Sequence, residues 1–445
     1  MQNSVRCFER FSDISVMKHN LHKRYSPVPN FYDRDRKYNK VRNYKGRSFK
    51  LNIMAALVWP FLFAAEDVFT FPKRRAITGF VLFCAFVGLT YIPEFGSDGY
   101  VFKSMFSTAQ DEDVFKEPII QFLTNIAIYS GFGYHFFFML LGLIYATFVS
   151  LSAHLFFKNL PVNQIFSTAA VVFLLAFFLN HPVFDALNAR YQLSIWVLLF
   201  STILMLKGRW QLSLCICFLG TMIHFGHSIF SLALVLLLLS RKLGKMQIVF
   251  AYVMLVSAFF MPSTLMLSLG DSVAQKLGGS FAEKVNNTVN LAAIKEASIR
   301  DRSSGGSTWY IVWFAFPIFY SLLLSGHLLW WKIRKHFTDP QYQLWILVII
   351  MWSLQIAMRG EPEAAGRVER NTLALLLMWH ARWFLYRRSG EFVALLFNVA
   401  PMIFYFVISF RRALNDVRIG AFLPSFYSYF TYYMPTVEQF FKRFH

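Results

Sequence analysis

Charge is what this sequence has least of. Only 15% of its 445 residues are Asp, Glu, Lys or Arg, where a soluble domain carries about 25%. Acidic residues are the scarcer sign, 24 against 44 Lys and Arg, for a net charge of +20. That excess comes with no nucleic-acid recognition module and no soluble basic face, so nucleic acid is excluded as a partner. Cysteine is limited to Cys7, Cys84, Cys215 and Cys217. None falls in Cys-x-x-Cys or Cys/His zinc spacing, which excludes a zinc module. Cys215 and Cys217 point to different faces of an apolar helix and read as small buried hydrophobes. Short alternating segments, which would close a barrel, are missing. The run Ser303–Ser304–Gly305–Gly306–Ser307 lacks the Gly-Lys-Ser/Thr end of a phosphate loop and reads as a hinge. Residues 1–50 lack the apolar core and cleavage site of a signal peptide.

What fills the chain is apolar: 56% hydrophobic residues, with 52 Phe for packing and lipid contact. The apolar runs approach the roughly 20 residues needed to cross a bilayer as a helix. The expected fold is therefore an all-α integral membrane protein, a polytopic helical bundle with about 11–13 spans. Basic clusters close alternate runs: Lys73–Arg74–Arg75, Lys158, Lys207 with Arg209, Arg241–Lys242 with Lys245, Lys332–Arg334–Lys335, and Arg387–Arg388. Basic loops stay cytoplasmic, so these clusters mark the inner side.

Three regions follow: a basic tail over 1–50, expected to be disordered, a membrane domain over 51–412, and an interfacial aromatic segment over 413–445. Outer loops are expected at 94–131 and 263–307, with 118–130 amphipathic and interfacial. The tail conflicts with the Lys73–Arg75 cluster, since both should be inside while one apolar run separates them. Either that run, with Pro60, Glu66 and Asp67, does not span, or the native product starts at Met54. The second is preferred. Residues 210–240 are apolar with basic groups at both ends. One straight helix there, about 45 Å long, would put its ends on opposite sides. A broken helical hairpin fits better, bent at Ile223–His224–Phe225–Gly226–His227–Ser228. Broken membrane helices are tolerated where they line a cavity.

A second set of cations lies at the outer ends of spans, where topology does not explain them: Arg190, Arg300, Arg302, Arg359, Arg367 and Arg370. Ionisable groups there are functional candidates. A guanidinium fork suits phosphate or pyrophosphate, although Glu361, Glu363 and Glu369 could pair with Arg359, Arg367 and Arg370 instead. His224 and His227 are candidates for the acid–base or acceptor side, against a packing or capping role. Without a nearby carboxylate they make an incomplete metal site, so no metal is expected. Asp98 and Glu117 flank the first outer loop, and Asp185 lies near Arg190. Any of the three carboxylates could act as a base or orient a sugar hydroxyl. A local turn at Asp98 and pairing of Asp185 with Arg190 are the plainer alternatives.

In this order the features resemble the EpsG family of polysaccharide polymerases, which share a role with the Wzy polymerases. The pieces are Asp98 with Tyr100, Glu117–Pro118 followed by Phe136–Phe137–Phe138, Arg190 with Ile223–His224, Arg367 with Arg370, and Pro424-Ser-Phe-Tyr. The resemblance implies a metal-independent glycosyltransferase without cofactors, at the outer, periplasmic face of the bacterial inner membrane. Its substrates would be undecaprenyl pyrophosphate-linked glycans. A flippase and a chain-length regulator of the same pathway are the implied partners besides the bilayer. It implies that His224, Asp98 and Glu117 supply catalysis, and that Arg190, Arg367, Arg370 and Arg359 hold pyrophosphate. His227 and Asp185 would lie on the acceptor side.

Overall fold

The computed structural model describes residues 58–74, 78–93, 98–108, 117–157, 183–188, 190–262, 272, 276, 340–359 and 362–386. The N-terminal tail, the span expected at 163–179, nearly all of 263–307 with Arg300 and Arg302, the later runs at 308–331 and 391–410, and the C-terminal segment lie outside them.

The described residues are helical, with no strand among them, as the composition predicts. In chain order the helices are α1 (Pro60–Arg74), α2 (Thr78–Thr90), α3 (Asp98–Thr108), α4 (Pro118–Tyr129), α5 (Gly133–Phe157), α6 (Val183–Asn188), α7 (Arg190–Leu206), α8 (Trp210–Ile223), α9 (Ser228–Ser240), α10 (Gln247–Phe260), α11 (Pro340–Ala357) and α12 (Pro362–Tyr386). Short 3-10 turns at Phe225–His227 and Arg241–Met246 join α8 to α9 and α9 to α10. Among the described residues, two runs are long and apolar enough to cross a membrane by length and composition, Gly133–Phe156 and Phe225–Phe260. The second is kinked at Gly244, whose φ of +56° suits glycine;.

The segment 98–108, expected as outer loop, is helix α3. Phe102 and Phe106 stand four apart on one face and pack against Phe137 of α5. Burial of that aromatic face outweighs the local turn signal at Ser97–Gly99. The chain crosses closely at α2 and α5: a Cβ on Gly88 would meet the Phe138 carbonyl, and one on Gly142 the Cys84 carbonyl. Small residues at such a crossing let two backbones approach within a membrane. Asp67 of α1 accepts hydrogen bonds from the amides of Gly79 (2.6 Å) and Phe80 (3.3 Å). It thereby satisfies two amides at the open N-terminus of α2;.

α7 and α11 are central. Residues 191–205 and 341–357 are buried throughout. Buried amides fix their register. Gln343 of α11 donates to Gln247 of α10 at 2.9 Å, and Gln341 exchanges bonds with Trp379 of α12 at 2.9 and 3.1 Å. Ser201 and Ser213 exchange hydroxyl–carbonyl bonds of 2.7 and 2.8 Å, tying α7 to α8 as antiparallel neighbours. The outward faces of α8, α9 and α10 stay apolar, with Leu212, Phe218, Leu232, Leu239, Val253 and Phe260 exposed. A continuous apolar exterior of this kind belongs in lipid. The protein is a helical membrane protein.

Candidate active site

α7 opens on Arg190 and Tyr191, and both side chains reach other helices. The Arg190 guanidinium donates to the Glu117 carboxylate at 2.5 Å, across 73 residues of sequence. Glu117 precedes Pro118, which opens α4 and holds Glu117 in extended backbone;. Its carboxylate makes no cap bond to its own helix and turns to Arg190. Glu117 is only 1% exposed, against 18% for the Arg190 side chain. The guanidinium also stands 5.5 Å from the centre of the Phe102 ring of α3, a cation–π contact. α3, α4 and α7 are clasped at one point.

The bend lies beside this clasp. α8 stops at Ile223, and His224 takes extended backbone (φ −152°, ψ 113°). The His224 Nδ1 accepts a hydrogen bond of 3.0 Å from the Gly226 amide, so the imidazole caps the following 3-10 turn. The first turn of α9 contacts the last turns of α8: Ser231 Oγ lies 2.8 Å from Thr221 Oγ1 and 3.1 Å from Cys217 Sγ.

Tyr191 joins the bend to α12. Its ring stacks on His227 at 4.4 Å and meets His224 edge-on at 5.6 Å. Its hydroxyl donates to the backbone carbonyl of Arg367. The Arg367 guanidinium lies 5.9 Å from the centre of the same ring. His227 is fully buried. Its Nε2 lies 3.0 Å from the Tyr191 carbonyl, which can only accept, so Nε2 carries the proton;. Its Nδ1 then accepts from the Asn371 amide at 3.3 Å. Both ring nitrogens of His227 thus bind the fold, which makes it a pin between α7 and α12. Gly226 lies against both His224 and Arg367. A Cβ there would stand 2.8 Å from the His224 ring and 3.3 Å from the Arg367 Nη1.

Of the residues expected at the site, Glu117, Arg190, His224, His227 and Arg367 come together here. Arg370 follows one turn after Arg367, within electrostatic reach of Tyr191. Arg359 is placed differently. Its guanidinium donates to the carbonyls of Ala258 (3.2 Å), Phe259 (2.9 Å) and Met261, so it caps the C-terminus of α10 where carbonyls lack helical partners. Asp98 opens α3 and Asp185 lies in α6; their side chains are outside the described residues. Among the described residues no group of three His, Cys, Asp or Glu side chains could hold a metal ion.

Three members of the cluster were not legible in the sequence: Phe102, Tyr191 and Asn371. Tyr191 and Asn371 each follow an arginine singled out above, Arg190 and Arg370. Adjacency was the available signal, but it does not say which ring or amide turns inward. The Asn371 Oδ1 is buried without a hydrogen-bond partner.

No curated protein and no solved structure matches the chain. The model of the EpsG family matches residues 76–433, a stretch that holds every residue of the Glu117–Arg190 clasp, the bend and the start of α12. The chain belongs to the EpsG family.

Proposed function

We propose that the protein polymerises undecaprenyl pyrophosphate-linked oligosaccharide repeat units into a surface polysaccharide, at the outer face of the bacterial inner membrane. The EpsG family is associated with polysaccharide polymerases of glycosyltransferase type. One observation carries the finer reading: Arg190, Arg367 and His224 converge at one end of α7, α8, α9 and α12. The basic residues Lys207, Arg209, Arg241, Lys242 and Lys245 stand at the other end of α7, α8 and α9. Cytoplasmic placement of those residues would turn the converging cations outward.

The helices are short. α8 and α9, with 14 and 13 residues, rise only about 20 Å, against a hydrocarbon layer of about 30 Å. The bend would thus be sunk below the outer surface, as in a broken helical hairpin within a polytopic bundle of about 11–13 spans. A pyrophosphate on a lipid tail could reach such a depth, and at low dielectric fixed cations act strongly on it.

In the proposed transfer the growing glycan on undecaprenyl pyrophosphate is the donor. A hydroxyl of the next lipid-linked repeat unit attacks its anomeric carbon. The new glycosidic C–O bond forms, and the bond from that carbon to the pyrophosphate oxygen breaks. Undecaprenyl pyrophosphate leaves with the electron pair, and the hydroxyl proton passes to His224 or to a carboxylate among Asp98, Glu117 and Asp185. Arg190, Arg367 and Arg370 hold the charge that develops on the leaving group. Arg359, capping α10, has no part in this. The flippase that delivers the repeat units and a chain-length regulator are the proposed partners.

The test is a deletion strain complemented with Arg190→Ala or Arg367→Ala, with lipid-linked products resolved by size. Arg367→Ala removes the guanidinium and keeps the carbonyl that Tyr191 uses. Single repeat units, exported but unextended, are expected in both variants, and in Arg367→Ala, which leaves the Arg190–Glu117 pair intact, at wild-type protein level. Normal chain lengths in both variants would overturn the assignment, and repeat units trapped inside would indicate transport instead.

A further inference from the structure

We infer that His224 serves the transfer as an Nε2–H hydrogen-bond donor to an oxygen of the leaving pyrophosphate, and not as the base that takes the acceptor's proton. This rests on the polymerase reading above and divides the roles within its site.

The argument begins at the break. His224 Nδ1 accepts the Gly226 N–H at 3.0 Å. An imidazole nitrogen that accepts is unprotonated, so the neutral ring carries its proton on Nε2. For Nε2 to act as a base the proton would have to sit on Nδ1. Two protons would then face each other across 3.0 Å, and the turn amide would lose its acceptor in an apolar setting where backbone groups need partners. The bend that places His224 is therefore the feature that fixes its tautomer.

The surroundings agree on the ligand's sign. His224 and Arg367 flank the same glycine, since a Cβ on Gly226 would touch both. A guanidinium and an Nε2–H can only donate. Two donor-only groups beside one small residue suit an oxygen-rich anion;. Among the described residues, Tyr191 of α7, His227 of the turn and Arg367 of α12 face His224, with Arg370 and Glu369 within electrostatic reach of Tyr191. His227 holds its proton toward the Tyr191 carbonyl and accepts from Asn371, so it offers no free base either. The proton of the acceptor hydroxyl then goes to a carboxylate, and none passes through His224.

Glutamine and asparagine separate the two ring positions. In His224→Gln the side-chain amide stands near Nε2 and donates without being able to act as a base. In His224→Asn the amide reaches only the Nδ1 position. The variants are expressed in the deletion strain, and polymer formed by isolated membranes from lipid-linked repeat units is measured against pH. His224→Gln is expected to stay within about 10-fold of wild type, with an unchanged pH profile. His224→Asn and His224→Ala are expected to fall by about 10–100-fold, the loss of one hydrogen bond to a charged oxygen. A His224→Gln protein as inactive as His224→Ala at equal membrane level would overturn the inference, as would loss of one limb of its pH profile. Ile223–His224 is the sequence's one Ile–His pair. Carbonyl-13C isoleucine with 15N histidine therefore marks this ring in solid-state NMR of the wild-type protein in liposomes. Protonation at Nε2 is expected there whatever the variants' yield, and protonation at Nδ1 overturns the inference. Failure of the polymerase reading is seen separately, as repeat units trapped inside in the deletion strain or as normal chains in both Arg190→Ala and Arg367→Ala.

Discussion

Replacing Glu117 and Arg190 by glutamine, singly and together, separates the two roles that meet at Arg190. The ion pair is 2.5 Å long and Glu117 is 1% exposed. Removing one partner of a buried pair strands the other charge, at a cost of about 3–5 kcal/mol. Arg190→Gln strands the nearly inaccessible Glu117 carboxylate and belongs at the upper end of that range. Glu117→Gln strands Arg190, whose side chain is 18% exposed and rests on the Phe102 ring. A cation–π contact returns about 0.5–2 kcal/mol, so this change belongs at the lower end. Independent losses would cost the double variant about 6–10 kcal/mol. With both charges gone nothing is stranded, so the double variant should be no less stable than Arg190→Gln, with a coupling of about 3 kcal/mol. Thermal unfolding of the purified protein in detergent measures this. Polysaccharide length in the complemented deletion strain measures the other role. Stability is expected to recover in the double variant while chain length does not. Additive stability losses would refute the buried pair as an energetic unit. Restored chain length in the double variant would refute any contact between the Arg190 charge and the substrate.

Arg359→Ala should lower thermal stability by about 1–3 kcal/mol, the loss of charged bonds to the α10 carbonyls, with chain lengths unchanged. Short chains at full stability would instead give Arg359 back to the pyrophosphate. Gly88→Leu should force α2 from α5 and cost about 1–3 kcal/mol or more, read by the same unfolding measurement. An unchanged melting temperature would rule out the close crossing at the Phe138 carbonyl.

The helical class and several boundaries were open to a reader of the sequence because they depend on local physics. A break at His224 follows from two basic ends on one apolar run, and α8 does end at Ile223. A helix opening at Arg190 and closing before Lys207 matches α7. α3 was not legible, because Asp98–Gly99 looks like a turn until Phe102 finds Phe137 and Phe138 from a helix more than thirty residues on. Asp67 shows the same limit. Its carboxylate in an apolar run argued against a membrane helix, whereas it serves the amides of Gly79 and Phe80 at the start of α2. Tertiary partners decide such residues, and periodicity does not name them.

Helix polarity explains why two arginines grouped together by position end with different roles. Arg359 follows the end of α11 and lies beside the end of α10, where open carbonyls take up its donors. A cation at a helix C-terminus is also favoured by the dipole. Arg190 is the first residue of α7, and Arg367 sits in the second turn of α12. Near a helix start amides predominate, carbonyls are bonded within the helix, and the dipole disfavours positive charge. An anion beside such an arginine gains from the guanidinium and from the helix end together. For Arg190 the fold supplies part of that anion as Glu117. For Arg367, which shares Gly226 with the donor-only His224, the same energetics favour a ligand with several charged oxygens. A diphosphate ester meets that demand, while a neutral sugar alone does not. The site would therefore recognise the carrier's pyrophosphate first and the glycan second. Free pyrophosphate should then compete with lipid-linked donor in membranes of the wild type, and lose that competition in Arg367→Ala.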